Sequence, residues 1–111
     1  MDGSKRKLIE QLVEQLTKRG VNPRQEVRTA QGVADIVTDS AVYEVVALLT
    51  ADTLRAATDR VVACRDALDP KLKAVVYGGN SGADPTAAMV EAKARGVTVN
   101  FWKDGESPGL N

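Results

Sequence analysis

The stretch V-A-D-I-V-T-D-S-A-V-Y-E-V-V-A, Val33 to Ala47, decides the fold and sets two carboxylates where a folding chain does not ordinarily want them. Val33, Ile36, Val37, Val42, Tyr43, Val45 and Val46 are β-branched or aromatic, and Asp39-Ser40 sits between the two runs as a turn, so the spacing predicts a β-hairpin. With Asp39 and Ser40 as the two loop residues, the register pairs positions whose numbers sum to 79, which sets Asp35 opposite Glu44. Cross-strand neighbours on one face have Cβ atoms roughly 4.5–5.5 Å apart, and like charges that close destabilise the pair unless something sits between them. A divalent cation is the usual candidate, because Mg²⁺ and Mn²⁺ take hard oxygen ligands and Mg²⁺ is commonly held by one or two carboxylates plus water and phosphate. A turn of another length is the alternative, and it would slip the acids onto opposite faces or splay them into solvent. By parity Asp35 shares a face with Val33 and Val37, and Glu44 with Val42 and Val46, so both acids rise from otherwise apolar surroundings.

Upstream, Ser4 caps a predicted helix running to about Arg19, with Leu8, Ile9, Leu12, Val13 and Leu16 as one apolar stripe and Gly20 as its stop. Glu10 and Glu14 lie on the face away from that stripe. A strand follows around Gln25–Thr29 with only one apolar face, which suits a sheet edge, and Gln31-Gly32 turns it into the hairpin.

Downstream, Thr50 or Asp52 caps a helix to about Leu68 whose buried seam is Leu54, Ala57, Val61, Cys64 and Leu68. Arg55 and Asp59 on it are spaced for a pair along its exposed side, and Arg60 adjoins the edge of the seam. Pro70 ends the helix, and Leu72 with Ala74–Tyr77 makes a strand apolar enough for an interior position. Gly78-Gly79-Asn80-Ser81-Gly82 reads as a flexible loop, without the Lys and hydroxyl order of a P-loop. Asp84-Pro85 opens a helix to Arg95, Gly96 ends it, and residues 97–102 form the last strand.

These elements give a single domain over residues 1–103, with a tail at 104–111 rich in Gly, Ser, Pro and charge and expected to be disordered. The order α-β-β-β-α-β-α-β predicts an α/β fold, a mixed sheet flanked by helices with right-handed crossovers. Hydrophobic content of 43% without a long apolar run argues against a membrane span, and Lys5-Arg6-Lys7 leads into Glu10 and Gln11 instead of a signal-peptide core, so a cytoplasmic location is expected. The chain has no histidine and one cysteine, Cys64, which leaves no Ser-His or Cys-His pair, no ordinary zinc site and no internal disulfide. Net charge is zero, but residues 1–30 hold seven basic and four acidic side chains, net +3, while residues 31–70 hold three and seven, net −4. A basic side beside an acidic centre fits a metal site flanked by phosphate-steering charge, and it equally fits a solvated helix face.

An acid after a small residue on one strand, Ala34-Asp35, and Glu44-Val45-Val46 on the next resemble the motif of the PD-(D/E)XK nucleases, the restriction-endonuclease-like superfamily. The likeness runs on through T-x-D-T-L-x-x-A at the start of the second long helix, R-x-A-L-x-P at its end and the final G-V-T-V-N-F-W. It implies a restriction-endonuclease-like sheet in the order αβββαβαβ. It also implies a Mg²⁺ or Mn²⁺ ion held by Asp35 and Glu44, with Glu10 of the first helix as a third acid. The implied partner is nucleic acid, DNA ahead of RNA, and a homodimer is the common assembly of such small domains. The departure is at the third motif position, where active members carry Lys and this chain has Val46. An aliphatic side chain can neither neutralise a phosphorane nor orient hydroxide. Arg60, where such families often carry Gln, or a more distant Lys would have to supply the cation, though an Arg fork is no automatic replacement for Lys. Metal-dependent phosphodiester hydrolysis and a pseudo-nuclease that only binds nucleic acid, protein or itself both follow from the resemblance.

Overall fold

The structure, a computed structural model, describes residues 3–81 and 85–101. Its elements are α1 (Gly3–Lys18), β1 (Arg24–Thr29), β2 (Gly32–Val37), β3 (Ala41–Leu49), α2 (Ala51–Leu68), β4 (Lys73–Ser81), α3 (Thr86–Ala94) and β5 (Val97–Phe101). The five strands form one mixed sheet in the spatial order β1-β2-β3-β4-β5. β1, β2 and β3 are antiparallel neighbours, and β3, β4 and β5 are parallel. Tight turns suffice for the first half, whereas parallel neighbours need the crossovers that α2 and α3 provide. Both crossover helices pack on one face while the strands step steadily in one direction, the arrangement two crossovers of one hand produce.

The sheet separates two cores. On one face Leu8, Leu12 and Leu16 of α1 are buried against Ile36, Val45 and Tyr77. On the other, Leu54, Ala57, Val61 and Cys64 of α2 and Ala88 and Ala92 of α3 close over Val37, Val42 and Val76. Taking a leucine such as Leu12, 0% exposed, out of water contributes about 1.5–3 kcal/mol. Leu68, expected in the α2 seam, is instead 39% exposed, at the last residue of the helix. The Cys64 thiol is buried, and the Thr29 hydroxyl donates to it at 3.7 Å. α2 starts on a capping box: Thr50 Oγ1 accepts the Thr53 N–H at 3.1 Å and Thr53 Oγ1 accepts the Thr50 N–H at 2.8 Å.

The hairpin closes through Asp39-Ser40 in the expected register, with Ile36 opposite Tyr43 and Val37 opposite Val42. Thr38 tightens the turn, its buried hydroxyl accepting the Ala41 N–H at 3.0 Å. The reading of Gly78–Gly82 as a flexible loop is corrected over its first four residues. β4 continues to Ser81, with Gly78 beside Val46 and Leu48 beside Asn80. The glycines are there for close approach: a Cβ on Gly79 would collide with the Ala47 carbonyl oxygen and press on Leu8, and one on Gly78 would crowd Leu49 at 3.0 Å. Gly82, Trp102 and the segment at 104–111 lie outside the described residues. The expected Arg55–Asp59 pair along α2 is also replaced. Arg55 reaches Glu91 of α3 with two hydrogen bonds of 3.1 and 3.0 Å, and Asp59 pairs with Arg95 after α3, because the two helices lie side by side. No described helix is long and apolar enough to cross a membrane.

Candidate functional site

The pairing of β2 with β3 stops at Ile36, one residue short of Asp35. Ala34 and Ile36 are two apart and would share a face of a regular strand, yet Ala34 packs into the α2 core and Ile36 into the α1 core. On the neighbouring strand Glu26, between the paired residues Gln25 and Val27, has φ +51°. Such left-handed backbone costs a non-glycine residue about 1 kcal/mol or more, so the change of face in β2 coincides with strain in β1. Beyond this point β2 leaves β3 and stays with β1, and the two strands part around Asp35.

Asp35 fills the gap. Its Oδ2 accepts the Val45 N–H at 2.8 Å, the bond a β2 carbonyl would otherwise make. The sequence-level picture of Asp35 and Glu44 rising side by side from one face is therefore corrected. Asp35 lies between the strands, and Glu44 points to the α2 face, where Arg60 Nε donates to its Oε2 at 2.6 Å. From the other face Lys5 of α1 brings its Nζ to 3.2 Å from Asp35 and 4.0 Å from Glu44 Oε2. A cation thus comes from each side of the sheet: Arg60 pairs with Glu44, and Lys5 reaches both acids.

Burial dominates the electrostatics of Glu44, which is 2% exposed. It pushes the carboxyl above its ordinary value, the Asp35 charge adds to the rise, and the Arg60 hydrogen bond and the charges of Arg60 and Lys5 pull back. The pair is lopsided: Glu44 would be stranded without Arg60, whereas Arg60, its side chain 45% exposed, keeps its access to water.

Outside this cluster an open cleft of about 330 Å³ is lined by Lys5, Arg6, Ile9, Glu10, Gln25, Glu26 and Asp35. Glu10 thus shares a cleft with Asp35, as its helical position allows, whereas Glu44 lies inward of it. Among the described residues no three His, Cys, Asp or Glu side chains converge closely enough to hold a metal ion as a set, so Asp35, Glu44 and Glu10 do not form a ready triad. A metal on the acid pair would have to displace Lys5, its side chain 35% exposed, and compete with the Arg60 hydrogen bond to Glu44.

Val46, where the resemblance would place Lys, packs partly buried against the α2 core and contributes no charge. Lys5 was missed by sequence reasoning because thirty positions separate it from Asp35. The local signal was the basic run Lys5-Arg6-Lys7 facing an acidic centre. Comparison of the chain with protein-family models, with curated proteins and with solved structures gave no match.

Proposed function

We propose that the chain is a PD-(D/E)XK-like nuclease-fold domain that engages the phosphate backbone of nucleic acid, DNA ahead of RNA, at the cleft beneath α1. One observation carries this reading: Lys5 Nζ stands within 3.2 Å of Asp35 and 4.0 Å of Glu44. A cation beside the two motif acids is what the missing lysine would have supplied, and here it comes from a different element. With Mg²⁺ or Mn²⁺ on Asp35 and Glu44, and Glu10 across the cleft, the metal would supply Lewis-acid polarisation of a phosphate and an acidified water. Lys5 and Arg6 would then hold the phosphate by charge, Lys5 as a movable point charge.

A second reading, a pseudo-nuclease that binds nucleic acid or protein without cutting, is favoured by the Glu44–Arg60 bond of 2.6 Å. A buried carboxylate already matched by a guanidinium has less to gain from a metal. Calorimetric titration of Mg²⁺ and of Mn²⁺ into the wild type, Asp35→Asn, Glu44→Gln and Lys5→Ala, with cleavage assays on duplex, branched and single-stranded DNA, separates the two. The first reading expects metal binding lost in both acid variants and metal-dependent cleavage lost with Lys5→Ala. Metal-independent binding of DNA, with no heat from either cation, would replace it with the second, and no binding of any nucleic acid would sink the first and confine the second to a protein partner.

A further inference from the structure

The two edges of the sheet are built differently. β1 carries Arg24, Glu26 and Arg28 within six residues and a left-handed kink at Glu26. Charge and irregularity are the devices that keep an edge from accepting a foreign strand. β5 has neither: Val97–Phe101 reads V-T-V-N-F, without charge, proline or positive φ, and pairs continuously with β4 from Val97 to Phe101. It has no strand neighbour on its outer side among the described residues. Alongside, α3 and β5 form an open, mainly apolar groove of about 470 Å³ whose floor and wall are Met89, Val90, Val97 and Val99. Val90 is 65% exposed, the most of any large apolar side chain described.

We propose that this edge and groove dock a second copy of the chain, through antiparallel pairing of the two β5 strands about a twofold axis at Val99. A twofold centred on a residue keeps each face of a strand to itself. Val99 meets its own copy, and Thr98 meets Asn100 of the second copy, so the apolar row stays on the α3 side and the polar row on the other. Among the described residues Lys93 is the only charged one lining the groove, and it lies next to the start of β5. The twofold sends the two Lys93 side chains to opposite ends of the ribbon, roughly 13 Å apart along the strands, so no like charges are forced together. Head-to-tail pairing of β5 with β1 of another copy would build an open fibre, and the charges and kink of β1 oppose it. A closed dimer joined through β5 leaves only the guarded edges outside. The resemblance implied a homodimer without placing an interface; the β5 interface follows from the strand and groove and does not rest on the nuclease reading.

Sedimentation velocity on the full chain from about 1 μM to about 1 mM, a range that covers weak strand-mediated association, tests it. The mass should climb with concentration from 11.8 kDa toward twice that value. Thr98→Lys and Val90→Lys, both at exposed positions, should each weaken the dimer about tenfold or more, while Arg28→Ser on the opposite edge should leave it unchanged. Circular dichroism verifies the fold of each variant, and Val90→Lys, remote from the strand ladder, reads the interface if Thr98→Lys fails to fold. A monomer at every concentration, or a dimer indifferent to both lysine substitutions, would overturn the proposal. So would a monomer whose β5 amides are protected from exchange, which would mark the chain's own C-terminal segment as the occupant.

Discussion

The two ends of the sheet differ in regularity, and their surfaces differ accordingly. At the β1–β2 end the strands kink and part, and Lys5, Asp35, Glu44 and Arg60 meet in the opening. At the β5 end the ladder is unbroken, and the surface beside it is apolar. Connection explains the contrast. A hairpin joined by two-residue turns is held at its ends alone and can twist away from its neighbour, whereas β4 and β5 are each pinned by a packed crossover helix. Irregular backbone frees polar groups that side chains then satisfy, which gathers charge. Regular backbone at an edge offers only pairing.

Removing the cation on the α2 side should break the first end most severely. Arg60→Met keeps much of the side-chain stem but leaves Glu44, 2% exposed, without its 2.6 Å partner and still beside Asp35. Losing one member of a fully buried pair costs about 3–5 kcal/mol; because the Arg60 side chain is itself 45% exposed, about 2–3 kcal/mol is expected here. Adding Glu44→Gln to Arg60→Met should recover most of that loss in urea denaturation. If Arg60→Met alone costs under about 0.5 kcal/mol, Lys5 carries the compensation and the two cations are not equivalent partners. The same substitutions should leave the β5-mediated association untouched, since the ends share no side chain.

The register of the hairpin was legible because β-branched residues, an Asp-Ser turn and strand parity all agree on it. The destination of each acid was not. Parity assumes a regular strand, and Asp35 lies where β2 stops being one. Lys5 was legible only as part of a basic run, since nothing local tells a helix of the first twenty residues which strand gap its first turn will overlie. Gly78-Gly79-Asn80-Ser81 was misread for the opposite reason. Its composition is that of a turn, while its backbone is demanded by the close approach of the Ala47 carbonyl and Leu8, a contact from other elements. The β1 edge was readable from its single apolar face, but the kink at Glu26 had no signal, because glutamate does not favour left-handed backbone.

Acidity should sharpen the comparison with a smaller effect. The Glu44 carboxyl has a folded-state pKa above its ordinary value of 4.5, so the folded chain holds that proton more tightly than the unfolded chain does. The contribution of Glu44 to stability is then complete below about pH 4.5 and fades as pH rises through the folded-state value. In metal-free buffer, the stability of the wild type relative to Glu44→Gln should therefore improve as pH is lowered from neutrality toward that point. A relative stability that worsens on acidification would mean that Arg60 and Lys5 outweigh burial. Among the described residues none lining the α3–β5 groove carries a carboxylate, so the dimer equilibrium should be flat over the same window.

The smallest effect expected is a gain. Glu26 sits at φ +51° on the strand facing Asp35, and relieving a left-handed non-glycine residue returns about 1 kcal/mol. Glycine costs part of that through its freer unfolded chain, so Glu26→Gly should stabilise by about 0.5 kcal/mol in thermal or urea unfolding. A gain, with the Val45 amide still protected from exchange by Asp35, would mean that the parting of β2 from β3 imposes the kink and glutamate is kept there for its carboxylate in the cleft. A loss would mean that the Glu26 side chain itself holds the bend. In that case the irregular end is built from β1 inward, and the gap that Asp35 fills is a consequence of the edge being guarded.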